Sequence, residues 1–155
     1  MRILFVCTGN TCRSPLAEAI ARRMAAERGL DLQVSSAGTG ASEGSAASDG
    51  SLLVAMERGI DLSEHRSRTL DRRLVEDADV ILAMGPAHVE RIRALGGGAK
   101  TFLLTDYASR GATLRPIADP FGGDLDVYRE TADQLEAEIG RVLDRIAAER
   151  TGGRP

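Results

Sequence analysis

The chain has 155 residues, 43% hydrophobic and 28% charged, enough for one domain around a single core and too little for a multidomain machine. Twenty basic side chains against 23 acidic ones give a formal net charge of −3, which excludes the basic stripe of a nucleic-acid binder. The longest apolar run near the start, residues 3–6, is far too short for a signal-peptide core or a membrane span, so a cytoplasmic protein with no nucleic-acid or membrane partner is expected.

Residues 3–6 (Ile-Leu-Phe-Val) read as a buried strand, and residues 32–34, 80–84 and 102–104 repeat the pattern. After the first strand comes a loop of small polar residues, then Ser14 as expected helix cap with Pro15 at the first helical position. Leu16, Ile20 and Met24 recur at helical spacing until Gly29 stops the helix. Weaker helical patterns cover residues 46–58, 71–77 and 87–95, with a glycine turn at residues 96–98. The last helix aligns Tyr128, Ala132, Leu135, Ile139, Val142 and Ile146 on one stripe. Strands alternating with helices predict a small doubly wound α/β sandwich: a four-stranded parallel sheet with helices on both faces. Residues 1–150 form the expected single domain, and residues 151–155 a frayed tail. Ligands of such folds bind at the carboxyl ends of the strands, which confines the chemistry to the loops after Val6, Val34, Met84 and Leu104.

The loop after Val6 reads Cys7-Thr8-Gly9-Asn10-Thr11-Cys12-Arg13-Ser14-Pro15. Gly9 and Asn10 tolerate left-handed backbone, so successive amides can turn inward and meet the positive end of the helix dipole, a ready anion cradle. This loop has no glycine-lysine pair and no triplet of spaced glycines, so it is neither a nucleotide P-loop nor a dinucleotide fingerprint. A thiol at the cradle floor and a guanidinium at its rim instead suggest covalent phosphoryl transfer: Cys7 as nucleophile, and Arg13 gripping two oxygens and following their charge into the transition state. Thr8, Gly9, Asn10, Thr11, Cys12 and Ser14 are the candidate phosphate-binding residues, and the Ser14 hydroxyl is placed to ease departure of the sulfur. Cys12 is close enough in sequence to form a reversible, protective disulfide with Cys7, or else simply packs.

The leaving group needs a proton, and hydrolysis of the phosphocysteine needs a base; one carboxyl serves both. Asp106, Asp119, Asp124 and Asp126 all follow the fourth strand, with His88 a weaker candidate. Pro120 restricts the backbone of Asp119 and so favours it modestly.

The cysteine, five residues and Arg-Ser after the first strand resemble the signature of the low-molecular-weight protein tyrosine phosphatases. Residues 35–38 (Ser-Ser-Ala-Gly), His65 with residues 66–68 (Arg-Ser-Arg), and residues 119–122 (Asp-Pro-Phe-Gly) match further landmarks in family order. The resemblance implies that Asp119 is the general acid and that Ser36 and His65 support Asn10. It also points to the family's bacterial protein-arginine phosphatase branch, where the position of Thr11 is a threonine favouring phosphoarginine. Many tyrosine-specific members have an aliphatic residue at that position and a second aromatic at that of Gly122. The expected activity is removal of phosphate from phosphoarginine in proteins, with phosphotyrosine as the alternative substrate. A related arsenate reductase would need a further cysteine pair, and no cysteine follows Cys12. A non-catalytic phosphoprotein-binding module would have no need of a thiol under the phosphate. Neither cofactor nor metal is expected, since two cysteines and two histidines make no zinc spacing here; the partners are phosphorylated protein substrates, and the chain is expected to be a monomer.

Overall fold

The structure, a computed structural model, describes the backbone of residues 1–152 and the side chains of residues 1–150. Strands β1 (Arg2–Cys7), β2 (Gln33–Gly38), β3 (Val80–Ala83) and β4 (Thr101–Leu103) form one parallel sheet in the order β2-β1-β3-β4. Among the described residues six α-helices surround it: α1 (Arg13–Glu27), α2 (Asp49–Glu57), α3 (Arg72–Asp77), α4 (Pro86–Ala94), α5 (Leu104–Ser109) and α6 (Leu125–Gly152).

The pleat of β1 sorts its apolar run to the two faces. Ile3, Phe5 and Cys7 join Leu16 and Ile20 of α1 and Leu135 and Ile139 of α6 in the larger core. Leu4 and Val6 join Val75 of α3 and Val89 and Ile92 of α4 on the other face. The doubly wound sandwich is therefore as expected, and the whole α6 stripe from Tyr128 to Ile146 is buried. That helix continues through Gly152, into the expected tail; residues 153–155 of that tail lie outside the described residues.

Four local readings need correction. Helix α1 begins at Arg13 with Cys12 as its cap residue, so Ser14 lies inside the first turn and does not cap it. Pro15 still fits, because a first-turn residue has no intrahelical acceptor for its N–H. Strand β2 runs on through Ser35 and Ser36 to Gly38, beyond the apolar stretch that marked it, because the buried Ser36 finds hydrogen-bond partners. Leu104 ends no strand; it opens α5, a helix whose short length hid it from periodicity. The glycine turn runs into a single 3₁₀ turn at Gly98–Lys100.

Successive strands fall on opposite sides of β1: the chain goes from β1 out to β2, then returns to place β3 on the other side. This reversal opens a crevice at the carboxyl ends of β1 and β3, where the Cys7 loop and the start of α4 meet.

Candidate active site

Cys7 closes β1 and is 2% exposed, with its sulfur 2.9 Å from the Ser14 hydroxyl. The turn between them depends on Asn10, which takes a left-handed φ of 55° and is fully buried. Every polar group of its side chain is used. The Asn10 amide donates to Ser14 at 2.8 Å and to Ser36 at 2.9 Å, while its oxygen accepts from the Arg68 amide at 3.0 Å. The Ser36 hydroxyl, with Asn10 donating to it, passes its own hydrogen to Glu18 at 2.6 Å. His65 donates through Nε2 to the backbone carbonyl of Asn10 at 2.7 Å, so it supports the loop from the main-chain side. Full satisfaction of such a buried polar network makes the loop geometry unique.

Gly38 lets β2 end against this loop. A Cβ there would lie 2.4 Å from the carbonyl oxygen of Thr8, closer than any side chain tolerates. Its backbone also pairs with the segment carrying Arg68, through Arg68 O at 2.9 Å and the Leu70 amide at 2.8 Å. That pairing brings residues 65–70, distant in sequence, against the cradle.

Arg13 is 7% exposed and fixed by donation from Nη1 to the carbonyl of Ile117 at 2.9 Å. Its Nη2 lies 3.8 Å from an Asp119 oxygen, and its Nε is buried with no hydrogen-bond partner among the described residues. The Nε–Nη2 edge is the geometry that grips two oxygens of a tetrahedral anion. Cys7, Thr8, Gly9, Thr11, Cys12, Arg13, Asp119 and Phe121 line one cleft of ≈ 220 Å³.

Asp119 is the only carboxylate among those lining residues. Its other oxygen accepts from the Phe121 amide at 3.0 Å, which holds the half-exposed side chain over the cleft mouth. The remaining acid candidates have other roles: Asp124 bonds the Val127 amide in the first turn of α6, Asp126 pairs with Arg129, and Asp106 lies in the first turn of α5 against another hollow. His88 is part of the site, though as a neighbour of the loop: Nε2 lies 2.8 Å from the Thr8 hydroxyl. Burial, and then the charge of Arg13, push its pKa down to about 4, so the ring is neutral near pH 7.

Cys12 and Cys7 are both free thiols. The Cys12 thiol donates to Ser48 at 3.2 Å and lies 3.5 Å from the Tyr128 hydroxyl. Burial, followed by the contact with Cys12, raises the Tyr128 pKa. Among the described residues no group of three or more His, Cys, Asp or Glu is placed to hold a metal ion, and no helix is long and apolar enough to cross a membrane. Sequence reasoning gave no site role to Glu18, Arg68, Ile117 or the Ser48–Tyr128 pair. Glu18, one turn after Ser14 on α1, carried a local signal and Arg68 falls in the landmark at residues 66–68; the others reach the site through tertiary pairing or a backbone carbonyl.

Comparison with known proteins agrees with this geometry. Residues 2–151 match the family model for low molecular weight phosphotyrosine protein phosphatase. A protein-arginine-phosphatase of Geobacillus stearothermophilus is 42% identical over 96% of this chain and 98% of its own. The low molecular weight protein-tyrosine-phosphatase PtpB of Staphylococcus haemolyticus is 37% identical over 92% of this chain and 97% of its own. A solved structure of a YwlE arginine phosphatase, a cysteine-to-serine mutant with a phosphorylated active-site serine, superposes with a TM-score of 0.92 at 37% identity, covering 97% of this chain and 99% of that one. With a family match along almost its whole length and the cradle intact, this chain belongs to the low molecular weight phosphotyrosine protein phosphatase family.

Proposed function

We propose that the protein is a cysteine-dependent phosphatase acting on phosphoarginine residues of proteins. The observation that carries the phosphatase reading is the guanidinium of Arg13, buried, tethered by Ile117, and presenting a hydrogen-bonding edge to the cleft that the Cys7 thiol also lines. The phosphorylated active-site serine of the YwlE mutant supports a nucleophile at the same place.

The chemistry proceeds in two balanced steps. The sulfur of Cys7 attacks phosphorus in line, forming S–P as the bond to the leaving nitrogen breaks; Asp119 gives that nitrogen its proton. Arg13 and the loop amides hold the three equatorial oxygens throughout. Asp119, now a carboxylate, takes a proton from water, whose oxygen forms the new bond to phosphorus while S–P breaks. Cys7 leaves as thiolate with the Ser14 hydroxyl donating to it, and inorganic phosphate is released.

Three features support arginine as the carrier of the phosphate. Thr11 puts a hydroxyl in the cleft wall. Gly122, at φ 81°, offers no side chain and a backbone that an aromatic residue would strain, so no second ring stacks on a phenol. Relatives at 42% and 37% identity carry the arginine phosphatase name. Phosphotyrosine is the second reading, favoured by Phe121, which is 76% exposed at the rim of the cleft and offers a ring for stacking. The substrates are phosphorylated proteins, and the enzyme works as a monomer in the reducing cytoplasm, where Cys7 stays reduced except when it pairs reversibly with Cys12.

The deciding experiment is kcat/KM on matched phosphoarginine and phosphotyrosine peptides, at a pH where the P–N bond survives, with Cys7→Ser as blank. A strong arginine preference is expected. A tyrosine preference overturns the substrate assignment, and turnover of neither overturns the enzyme reading.

A further inference from the structure

Thr8, the first residue of the phosphate loop, and His88, in the first turn of α4, come from neighbouring strands and meet in the crevice between β1 and β3. Their contact of 2.8 Å leaves open which atom donates. The other ring nitrogen of His88 decides it. Nδ1 is buried and has no hydrogen-bond partner among the described residues, and His88 as a residue is 6% exposed.

A neutral imidazole carries one hydrogen, on Nδ1 or on Nε2. Placed on Nδ1, it would be a buried N–H with nothing to accept it, the costlier kind of orphan. Placed on Nε2, it is used on Thr8 and leaves only a lone pair buried at Nδ1. The ring therefore donates through Nε2 to the Thr8 oxygen. A hydroxyl that accepts from the ring keeps its own hydrogen for another partner, and Thr8 lines the cleft together with Cys7 and Arg13.

We propose that His88 is a positioning residue, which holds the Thr8 hydroxyl as a hydrogen-bond donor to the oxyanion bound in the phosphate loop. The inference rests on the phosphatase reading, because it requires an oxyanion in the cradle. It adds one neutral donor to those already named and gives it a fixed direction. The depressed pKa of His88 agrees with this role, since a protonated ring would carry a second N–H with nowhere to point.

Orthovanadate is the probe, with its inhibition constant measured against an aryl phosphate in the wild type, Thr8→Val, His88→Leu, His88→Gln and the Thr8→Val/His88→Leu double variant. Thr8→Val and His88→Leu should each weaken vanadate about three- to tenfold, the range of one neutral hydrogen bond. The double variant should be no weaker than the worse single one, and His88→Gln, whose amide nitrogen replaces Nε2, should recover most of the affinity. Nitrogen NMR of the wild-type ring should find the hydrogen on Nε2, a readout that needs no variant to fold. Unchanged vanadate affinity in Thr8→Val or in His88→Leu, or a hydrogen on Nδ1, overturns this inference alone. Failure of the wild type to bind vanadate overturns the phosphatase reading and this inference with it.

Discussion

The Ser14 hydroxyl lies 2.9 Å from the sulfur of Cys7 while its oxygen accepts from the Asn10 amide, and toward a thiolate, which has no hydrogen to give, the hydroxyl is the donor. The bond is strongest when the sulfur is charged, that is, before attack and as it leaves phosphorus. Ser14→Ala should therefore slow breakdown of the phosphocysteine about 10- to 100-fold, the worth of one hydrogen bond to a charged group. Stopped-flow traces with an aryl phosphate should then show a burst of alcohol followed by slow turnover. A variant without a burst, at wild-type kcat, would remove Ser14 from the mechanism.

Asp119→Asn keeps the turn at Phe121 but has no proton to give. Loss of a general acid costs about 10²- to 10⁴-fold where the leaving group is basic. The guanidine nitrogen of phosphoarginine is such a group, whereas p-nitrophenolate leaves without help. The expected result is a large fall in kcat/KM for phosphoarginine peptide and a far smaller one for p-nitrophenyl phosphate. Equal losses on both would show that Asp119 positions Arg13 and does not transfer a proton.

Thr11→Ile replaces the hydroxyl in the cleft wall by an alkyl group. An apolar wall loses a hydrogen bond to a guanidinium and gains contact with a phenyl ring, so the ratio of arginine to tyrosine activity should fall about tenfold. Both kcat/KM values must be measured, since a loss common to both would report damage to the loop. An unchanged ratio would place substrate choice elsewhere.

His88 makes stability depend on pH. An unfolded-chain histidine titrates near 6.5, whereas burial and then Arg13 hold His88 at about 4 in the fold. Between those values the unfolded chain binds the proton and the folded one does not. The contribution is thus complete above about pH 6.5 and is lost as pH falls towards 4, at up to about 1.4 kcal/mol per unit. Urea unfolding of the wild type and His88→Gln at pH 7 and 4.5 should show the stability gap between them shrinking by about 2–3 kcal/mol in acid. A constant gap would mean that the ring is not held neutral.

The strands are legible as short continuous apolar runs, as from Ile3 to Val6, and the long helices because their apolar residues recur at helical spacing, as from Tyr128 to Ile146. The loop between β1 and α1 is legible as a cradle because Cys7, Gly9, Asn10 and Arg13 follow one another within it, and the structure brings Cys7 and Arg13 to one cleft. Strand β2 reads short in the sequence because Ser35 and Ser36 are polar, and the contacts of Ser36 with Asn10 and Glu18 explain its burial. Helix α5 spans six residues and offers too little periodicity to detect. Ile117 contributes a backbone carbonyl to the site, and a backbone atom leaves no trace in residue type.

Ile117 carries a further consequence. Its amide donates to Met84 at the end of the sheet at 2.8 Å, and its carbonyl receives Arg13. Asp119 stands two residues later on the same span. Arg13 and Asp119 are thus set against each other by a dipeptide pinned to the sheet. Mutations that loosen the far end of the α1–α6 core, away from Arg13 and Tyr128, should lower the melting temperature while leaving the turnover of surviving folded molecules nearly constant, so that the scaffold can drift in stability without losing its catalytic calibration.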